Sequence, residues 1–421
     1  MLELLFLLLP IAAGYGWYMG RRSVRQDTQQ QSNQFSRQYV AGLNYLLSDE
    51  SDKAVDLFIQ LLEVDSETIE THLSGLNYLL SDESDKAVDL FIQLLEVDSE
   101  TIETHLSLGN LFRQRGEVDR AIKIHQNLVA RQLTREQRQL ALQELARDFL
   151  AAGLLDRAEA LWKELCEDSD FEETALAQLL IIHQQLRDWD KAIEVAIRLQ
   201  KFQGKKLAEP ISHFYCEQAE SALRDGDKGA GIAKFKRALA AHPGCARASL
   251  RLADLSMEEG KFEEASKDLL RVFEQDMDFA SEAMPRLLDC YQQLGRTQEL
   301  IPLLEKAVED HAGVSVTLAL ANLVEARDGL SQARALVLRQ LRRHPSMKGF
   351  YQLVGFQLAS AEEGPAKESL ELLQQLVGEQ IKIKSTHKCR QCGFATHSLF
   401  WQCPSCRQWG SIKPIRGLDG E

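Results

Sequence analysis

The chain has 421 residues, 27% of them charged and 44% apolar, with a formal net charge of −14. That length suits several ordinary domains or one long repeat array, and the composition is that of a folded body rather than a disordered one. The acidic balance speaks against a nucleic-acid partner, which needs a basic surface, and 9 prolines with 7% aromatics favour helices over a β-sandwich.

From Leu2 to Met19 the chain is apolar except for Glu3, with Pro10, Gly14 and Gly16 within it and Arg21, Arg22 and Arg25 just after. About 20 apolar residues cross a bilayer core. A cleaved signal peptide carries its positive charge before the apolar run, and here it follows, so residues 1–20 are predicted to be an uncleaved transmembrane helix. A cleaved signal and a buried core helix are the weaker readings. The arginines place the rest of the chain on the cytoplasmic side, and Trp17 and Tyr18 fall where aromatics anchor at the interface. Residues 21–40, polar and carrying Gln29, Gln30 and Gln31, are predicted to form a cytoplasmic stalk.

Residues 42–74 are then repeated identically as 75–107. Ordinary repeats drift apart, so the copy marks a recent tandem duplication or an error in assembling the sequence. Its first junction reads Ser74-Gly75 where the second reads Ser107-Leu108-Gly109. One residue fewer turns a helix by about 100°, so the extra unit is expected to dock out of register.

A wider period runs through residues 41–378. Ala54, Ala87, Ala121, Ala158, Ala192, Ala230, Ala265, Leu300, Ala333 and Ala366 stand 33 to 38 residues apart. Tetratricopeptide units repeat at about 34 residues. Most are preceded by a turn former five residues earlier (Asp49, Gly116, Gly153, Asp225, Gly260, Gly295, Asp328). Many have a small residue twelve earlier, such as Gly42, Gly75, Gly109, Ala146, Ala253 and Ala321. Small side chains at both places let two helices approach closely, and Pro243 and Pro345 close second helices. The predicted fold is all-α: a tetratricopeptide solenoid whose concave groove binds peptides or protein surfaces. Its apolar stripes read as core, and Asn110 and Asn322 as solvated rather than as groove contacts. No phosphate loop, HExxH or nucleophile elbow accompanies it.

Eight cysteines divide into two groups. Cys166, Cys216, Cys245 and Cys290 stand apart and read as small buried apolar residues in a reducing compartment. Cys389-Arg-Gln-Cys392, ten residues, then Cys403-Pro-Ser-Cys406 is a paired CxxC…CxxC. Each pair makes a tight knuckle, and two knuckles supply four sulfurs to one zinc or iron ion. Phe394, Phe400, Trp401 and Trp409 supply apolar matter to a module, 379–421, too small for a large core of its own. His387 and His397 read as solvated. The stretch from Gln380 carries seven Lys or Arg against Asp419 and Glu421. A basic module on an acidic array is expected to dock against it, covering Trp401 and Trp409.

Membrane span, repeat array and metal knuckles, in this order, resemble the lipopolysaccharide assembly protein B family. The stretches that carry the likeness are Met1–Pro10 with Tyr15–Arg22, Leu108–Ala121, and Cys389–Cys406 followed by Ile412–Gly420. The resemblance implies a single-pass inner-membrane adaptor on the cytoplasmic side, not an enzyme. It implies that the adaptor promotes degradation of the lipid A deacetylase LpxC by the membrane protease FtsH. Gathering of other lipopolysaccharide synthesis or export proteins at the membrane, and homo-oligomerisation, are left open. The family's metal ligands fall on Cys389, Cys392, Cys403 and Cys406. The family pattern has one unit where this chain has two identical ones, which bears on partner geometry. Two other classes compete: a rubredoxin-type electron carrier, since four thiolates around iron exchange an electron, and a nucleic-acid-binding ribbon.

Overall fold

The computed structural model describes Ala41, Tyr45 and Lys53 together with residues 102–421. The expected span, the stalk and nearly all of the two identical copies lie outside the described residues. Among the described residues no helix is long and apolar enough to cross a membrane. The chain forms two compact units, Met1–Ile182 and His183–Glu421.

In the first unit, α1 (Ile102–Gln114) pairs with α2 (Val118–Val129), and α3 (Arg135–Ala151) with α4 (Leu155–Leu165). Thr134 starts α3 with a reciprocal capping box: its hydroxyl accepts the Gln137 N–H, and Gln137 Oε1 accepts the Thr134 N–H. Both bonds satisfy donors that the first turn leaves free. Leu108, Phe112, Leu128, Trp162 and Leu165 are fully buried. Gly109 is a true close approach, because a Cβ there would sit 2.4 Å from the ring of buried His125. The helix α5 (Glu172–Leu186) follows.

The second unit continues with α6 (Trp189–Gln203), α7 (Ala208–Arg224), α8 (Lys228–Ala241), α9 (Ala246–Glu258) and α10 (Phe262–Gln275). Then come α11 (Ala280–Gln293), α12 (Leu300–Glu309), α13 (Val314–Asp328), α14 (Leu330–Arg343), α15 (Met347–Ala359) and α16 (Pro365–Ile383). First helices contact first helices along the stack: α7 with α9, α9 with α11, α11 with α13 and α13 with α15. Leu269, Leu287, Leu300 and Val316 fill one continuous core between them. The helix α16 runs past Gly378 to Ile383, so only Lys384–Thr386 link the array to the metal module.

The expected small residues lie buried on second helices at Ala121, Ala158, Ala192, Ala265 and Ala333, with Leu300 in the same role. Two positions depart. Ala366 is exposed at the start of α16. In α8 the buried residue is Gly231, while Ala230 is half-exposed. The cause is the cap. Asp227, not Asp225, accepts the Ala230 N–H at 2.8 Å and starts the helix, and Gly226 rather than Asp225 takes the left-handed turn at φ 85°. The shift also brings Ala219, fully buried, into the first-helix slot that seemed unfilled. At Gly329, too, the turn falls one residue after the expected Asp328.

This register has a measurable consequence. A Cβ at Gly231 would meet Leu223 at 2.8 Å, so Gly231→Leu overpacks the hairpin and is expected to cost about 1–3 kcal/mol. Ala230→Leu is expected to change stability little. Thermal melts of the two variants decide it, and equal losses would restore the unshifted register.

Asn322 is exposed, as expected, whereas Asn110 is half-buried. Asn110 Oδ1 accepts from Arg113 of the same helix at 2.6 Å, and Asn322 Oδ1 accepts from Gln352 of the next first helix at 3.3 Å.

Candidate metal centre and its seat on the array

The module is a three-stranded antiparallel sheet of order β2-β1-β3, with β1 His387–Cys389, β2 Ala395–Thr396 and β3 Ile412–Pro414. Cys389 pairs with Ile412 across it, which places the first cysteine beside the strand that returns from the second knuckle. The two knuckles repeat one scheme. Gly393 N–H donates to Cys389 O at 3.0 Å, and Arg407 N–H donates to Cys403 O at 2.8 Å. In each, the residue after the second cysteine is left-handed: Gly393 at φ 80° and Arg407 at φ 59°.

The knuckles bring all four sulfurs within 4.8 Å of one another. Cys389 Sγ lies 3.7 Å from Cys406 Sγ, and Cys392 Sγ 3.6 Å from Cys403 Sγ. A tetrahedron with metal–sulfur bonds of about 2.3 Å has edges of roughly 3.8 Å, so the donor set fits one metal ion. The protonation chemistry agrees. Burial raises the Cys389 thiol, but Ser411 Oγ and the backbone N–H groups of Cys392 and Gln391 outweigh it and bring it to about 6. The Gln408 N–H favours a Cys406 thiolate, yet burial and the three neighbouring sulfurs push it up to about 12. Four thiolates this close need a cation between them. Phe394 and Leu399 pack on a core of Cys389, Cys403 and Ile412, which is little else than the cysteine cluster itself.

The module sits on the array, as its charge suggested, and the contact has an apolar and an ionic half. Trp409 is 6% exposed. Its ring stacks on His213 at 5.2 Å, meets Phe214 edge-on at 5.8 Å and Trp189 at 6.1 Å, and its Nε1–H donates to Gln184 Oε1 at 2.9 Å. Trp401 tilts against Phe279 at 5.0 Å. Gly410 packs so close to Glu209 that a Cβ would stand 2.1 Å from the carboxylate, at a φ of 61°. No other residue suits both constraints.

The ionic half centres on the turn before α11. Lys413 pairs with Asp276 and lies over the Phe279 ring at 4.1 Å, Arg390 pairs with Asp278, and Arg416 Nε reaches Asp278 at 2.9 Å. Arg416 also donates to His311 O at 2.7 Å. The last residue, Glu421, takes the Ser315 N–H and hydroxyl at 2.9 and 2.7 Å and Lys348 at 2.5 Å.

His387, expected to be solvated, is not. It is buried, with Nε2 3.1 Å from Glu282 and Nδ1 2.8 Å from the Thr386 hydroxyl, because β1 turns it toward α11. The hydrogen bond from His387 holds the Glu282 carboxyl below its usual value despite burial. His397 is exposed, as expected, but Phe400, expected to add to the module's apolar core, is exposed as well and packs into none of it. The acceptor residues on the array, above all His213, Asp276 and Asp278, carried no signal in the sequence.

His213 makes the seat sensitive to pH. Burial first, then the charges of Arg247, His242 and Lys413, drive its imidazole down to about 3. Freed from the module, the ring regains water and loses the Lys413 charge, so it rises toward its ordinary value of about 6.5, with Arg247 and His242 of the array still opposing. The undocked state then binds a proton that the docked state refuses, so docking is strongest above about 6.5 and weakens as pH falls. Between pH 7 and 5 the docking constant is expected to drop, by at most about 25-fold for an undocked ring titrating at about 6.5, read from tryptophan emission. His213→Phe, which keeps the stacking, should flatten that profile; an unchanged slope would assign it elsewhere.

Comparison with known proteins is consistent across the chain. A family profile described as a rubredoxin metal binding domain matches residues 387–414, and tetratricopeptide repeat profiles match 104–138 and 216–278. Lipopolysaccharide assembly protein B of Escherichia coli K12 is 47% identical over 421 residues, covering 100% of both chains. That of Haemophilus influenzae Rd is 43% identical over 419 residues, covering 99% of this chain and 98% of its own. A solved tetratricopeptide repeat protein of Parabacteroides merdae covers 66% of this chain and 100% of its own, at 13% identity and a TM-score of 0.30.

Proposed function

The chain belongs to the lipopolysaccharide assembly protein B family, and we propose that it serves lipopolysaccharide assembly as a non-enzymatic adaptor at the inner membrane. Residues 1–20 anchor it, and the repeats face the cytoplasm. Cys389, Cys392, Cys403 and Cys406 hold one zinc or iron ion that staples the C-terminal module. The adaptor presents the deacetylase LpxC to the protease FtsH and gathers other lipopolysaccharide proteins. The observation that supports this most is the seat of the module. With Trp409 and Asp276–Asp278 engaged, metal site and array share one surface, which suits a binding platform better than a mobile carrier.

The test is complementation in cells lacking the endogenous protein, with LpxC half-life as the readout. The full chain is expected to restore rapid turnover, and a form lacking Met1–Gly20 to fold without restoring it. Full rescue by the soluble form would contradict a membrane adaptor. Electron transfer is tested separately, by a reversible absorbance change in the iron-loaded protein whose loss should leave LpxC turnover intact.

A further inference from the structure

Cys216 and Cys245, far apart in the chain, meet in the core of the second unit with their sulfurs 3.8 Å apart. Both are buried, among Ala219, Phe235, Ala248 and Leu252. Their settings differ. Cys216 lies in the middle of α7, whereas Cys245 is the N-cap of α9, after the turn His242-Pro243-Gly244. A helix N-terminus favours an anion at its cap. Arg247, 6% exposed, lies two residues on and pairs with Glu217 at 2.8 Å, leaving its Nη1 with no hydrogen-bond partner among the described residues. Cap position and nearby guanidinium distinguish Cys245 as the attacking thiol and leave Cys216 as the resolving one.

We propose that Cys216 and Cys245 form a redox-active dithiol that a hydroperoxide converts to an intramolecular disulfide. The Cys245 sulfur attacks the peroxide, forming an S–O bond as the O–O bond breaks and water or an alcohol leaves. Cys216 sulfur then attacks the sulfenic sulfur. The S–S bond forms, the S–O bond breaks, and a second water carries off the remaining proton and oxygen. Two thiols lose two electrons and the peroxide gains them. The sulfurs stand at van der Waals contact, 3.8 Å apart, and close to about 2.05 Å in the disulfide.

Protonation supports the assignment of roles. The contact with Cys216 lowers Cys245 most, burial opposes it, and Ser212, the Ala248 N–H and Arg247 help bring it to about 7. Burial holds Cys216 well above the usual thiol range. Cys290, buried in the core of α11, is pushed up to about 11 and serves as an internal control. His213, one turn before Cys216 on α7, carries Trp409, so the disulfide would form beneath the docked module.

The experiment treats the full-length, metal-loaded chain with hydrogen peroxide, alkylates remaining thiols in denaturant, and maps tryptic peptides. A disulfide-linked pair of peptides 207–224 and 238–247 is expected. It should form about a hundredfold faster than Cys290 is lost, from the larger thiolate fraction less its weaker nucleophilicity. Cys245→Ser should abolish the link. Cys216→Ala should leave a sulfenic acid on Cys245 that dimedone traps, with unchanged circular dichroism showing that the fold survives. The proposal fails if both cysteines stay alkylatable at doses that oxidise the Cys389 cluster. It fails equally if the link appears only after chelation or in denaturant, or if Cys216 instead pairs with a knuckle cysteine.

Discussion

Replacing Cys389 and Cys392 together by serine is expected to unfold the chain beyond about Lys384 while the helices before it stay intact. Structural metal sites of this type hold on the order of 10–16 kcal/mol, and folding of the module is inseparable from it. Its remaining core, Cys403 and Ile412 with Phe394 and Leu399, is too small to stand alone. Since the module holds only short strands, far-UV circular dichroism should barely change, whereas the tryptophan emission should shift to that of an exposed indole. On the adaptor role proposed above, LpxC turnover should fail in the same variant. Retained Trp409 burial with no metal by elemental analysis would make the site dispensable.

Trp409→Ala should undock a module that remains folded and metal-loaded. Truncating a buried Trp costs about 3–5 kcal/mol, more than a hundredfold in the docking equilibrium. His213, Phe214 and Trp189 lose their cover, and Gln184 its donor. The three-residue link keeps the effective concentration near the millimolar range, which offsets part of that loss. Asp278→Ala should cost less, because Arg390 and Arg416 are 62% and 39% exposed and such pairs contribute about 1 kcal/mol or less. Trypsin cleavage at Lys384, followed as release of the tail, should accelerate at least about tenfold in Trp409→Ala and much less in Asp278→Ala. The reverse ranking would make the ionic half of the seat the dominant one.

Local chemistry was legible in the chain, and so was docking of the module from its charge, but the place on the array where it sits was not. The knuckles could be read because metal geometry is built within four residues at Cys389–Cys392 and again at Cys403–Cys406. The hairpins could be read because their small residues recur. In α8, however, Gly229, Ala230 and Gly231 are all small and Asp225, Gly226 and Asp227 all suit a turn, so only the cap hydrogen bond selects the register. The seat combines Gln184, His213, Asp276, Glu282 and Ser315 from separate helices and turns. Only stacking brings them to one edge, and no periodicity marks them. Cys216 and Cys245 looked isolated for the same reason: their contact exists only once α7 and α9 pack.

The most direct test of a metal-held module seated on the array is hydrogen exchange of the full chain with and without a chelator. In the metal-loaded protein, amides of residues 387–414 and those at the starts of α7 and α11 are expected to be protected together. Chelation should release all of them at once while the interiors of α9 and α13 stay protected. Free exchange of the module in the loaded protein, or chelation that exposes it without touching α7 and α11, would contradict the seat.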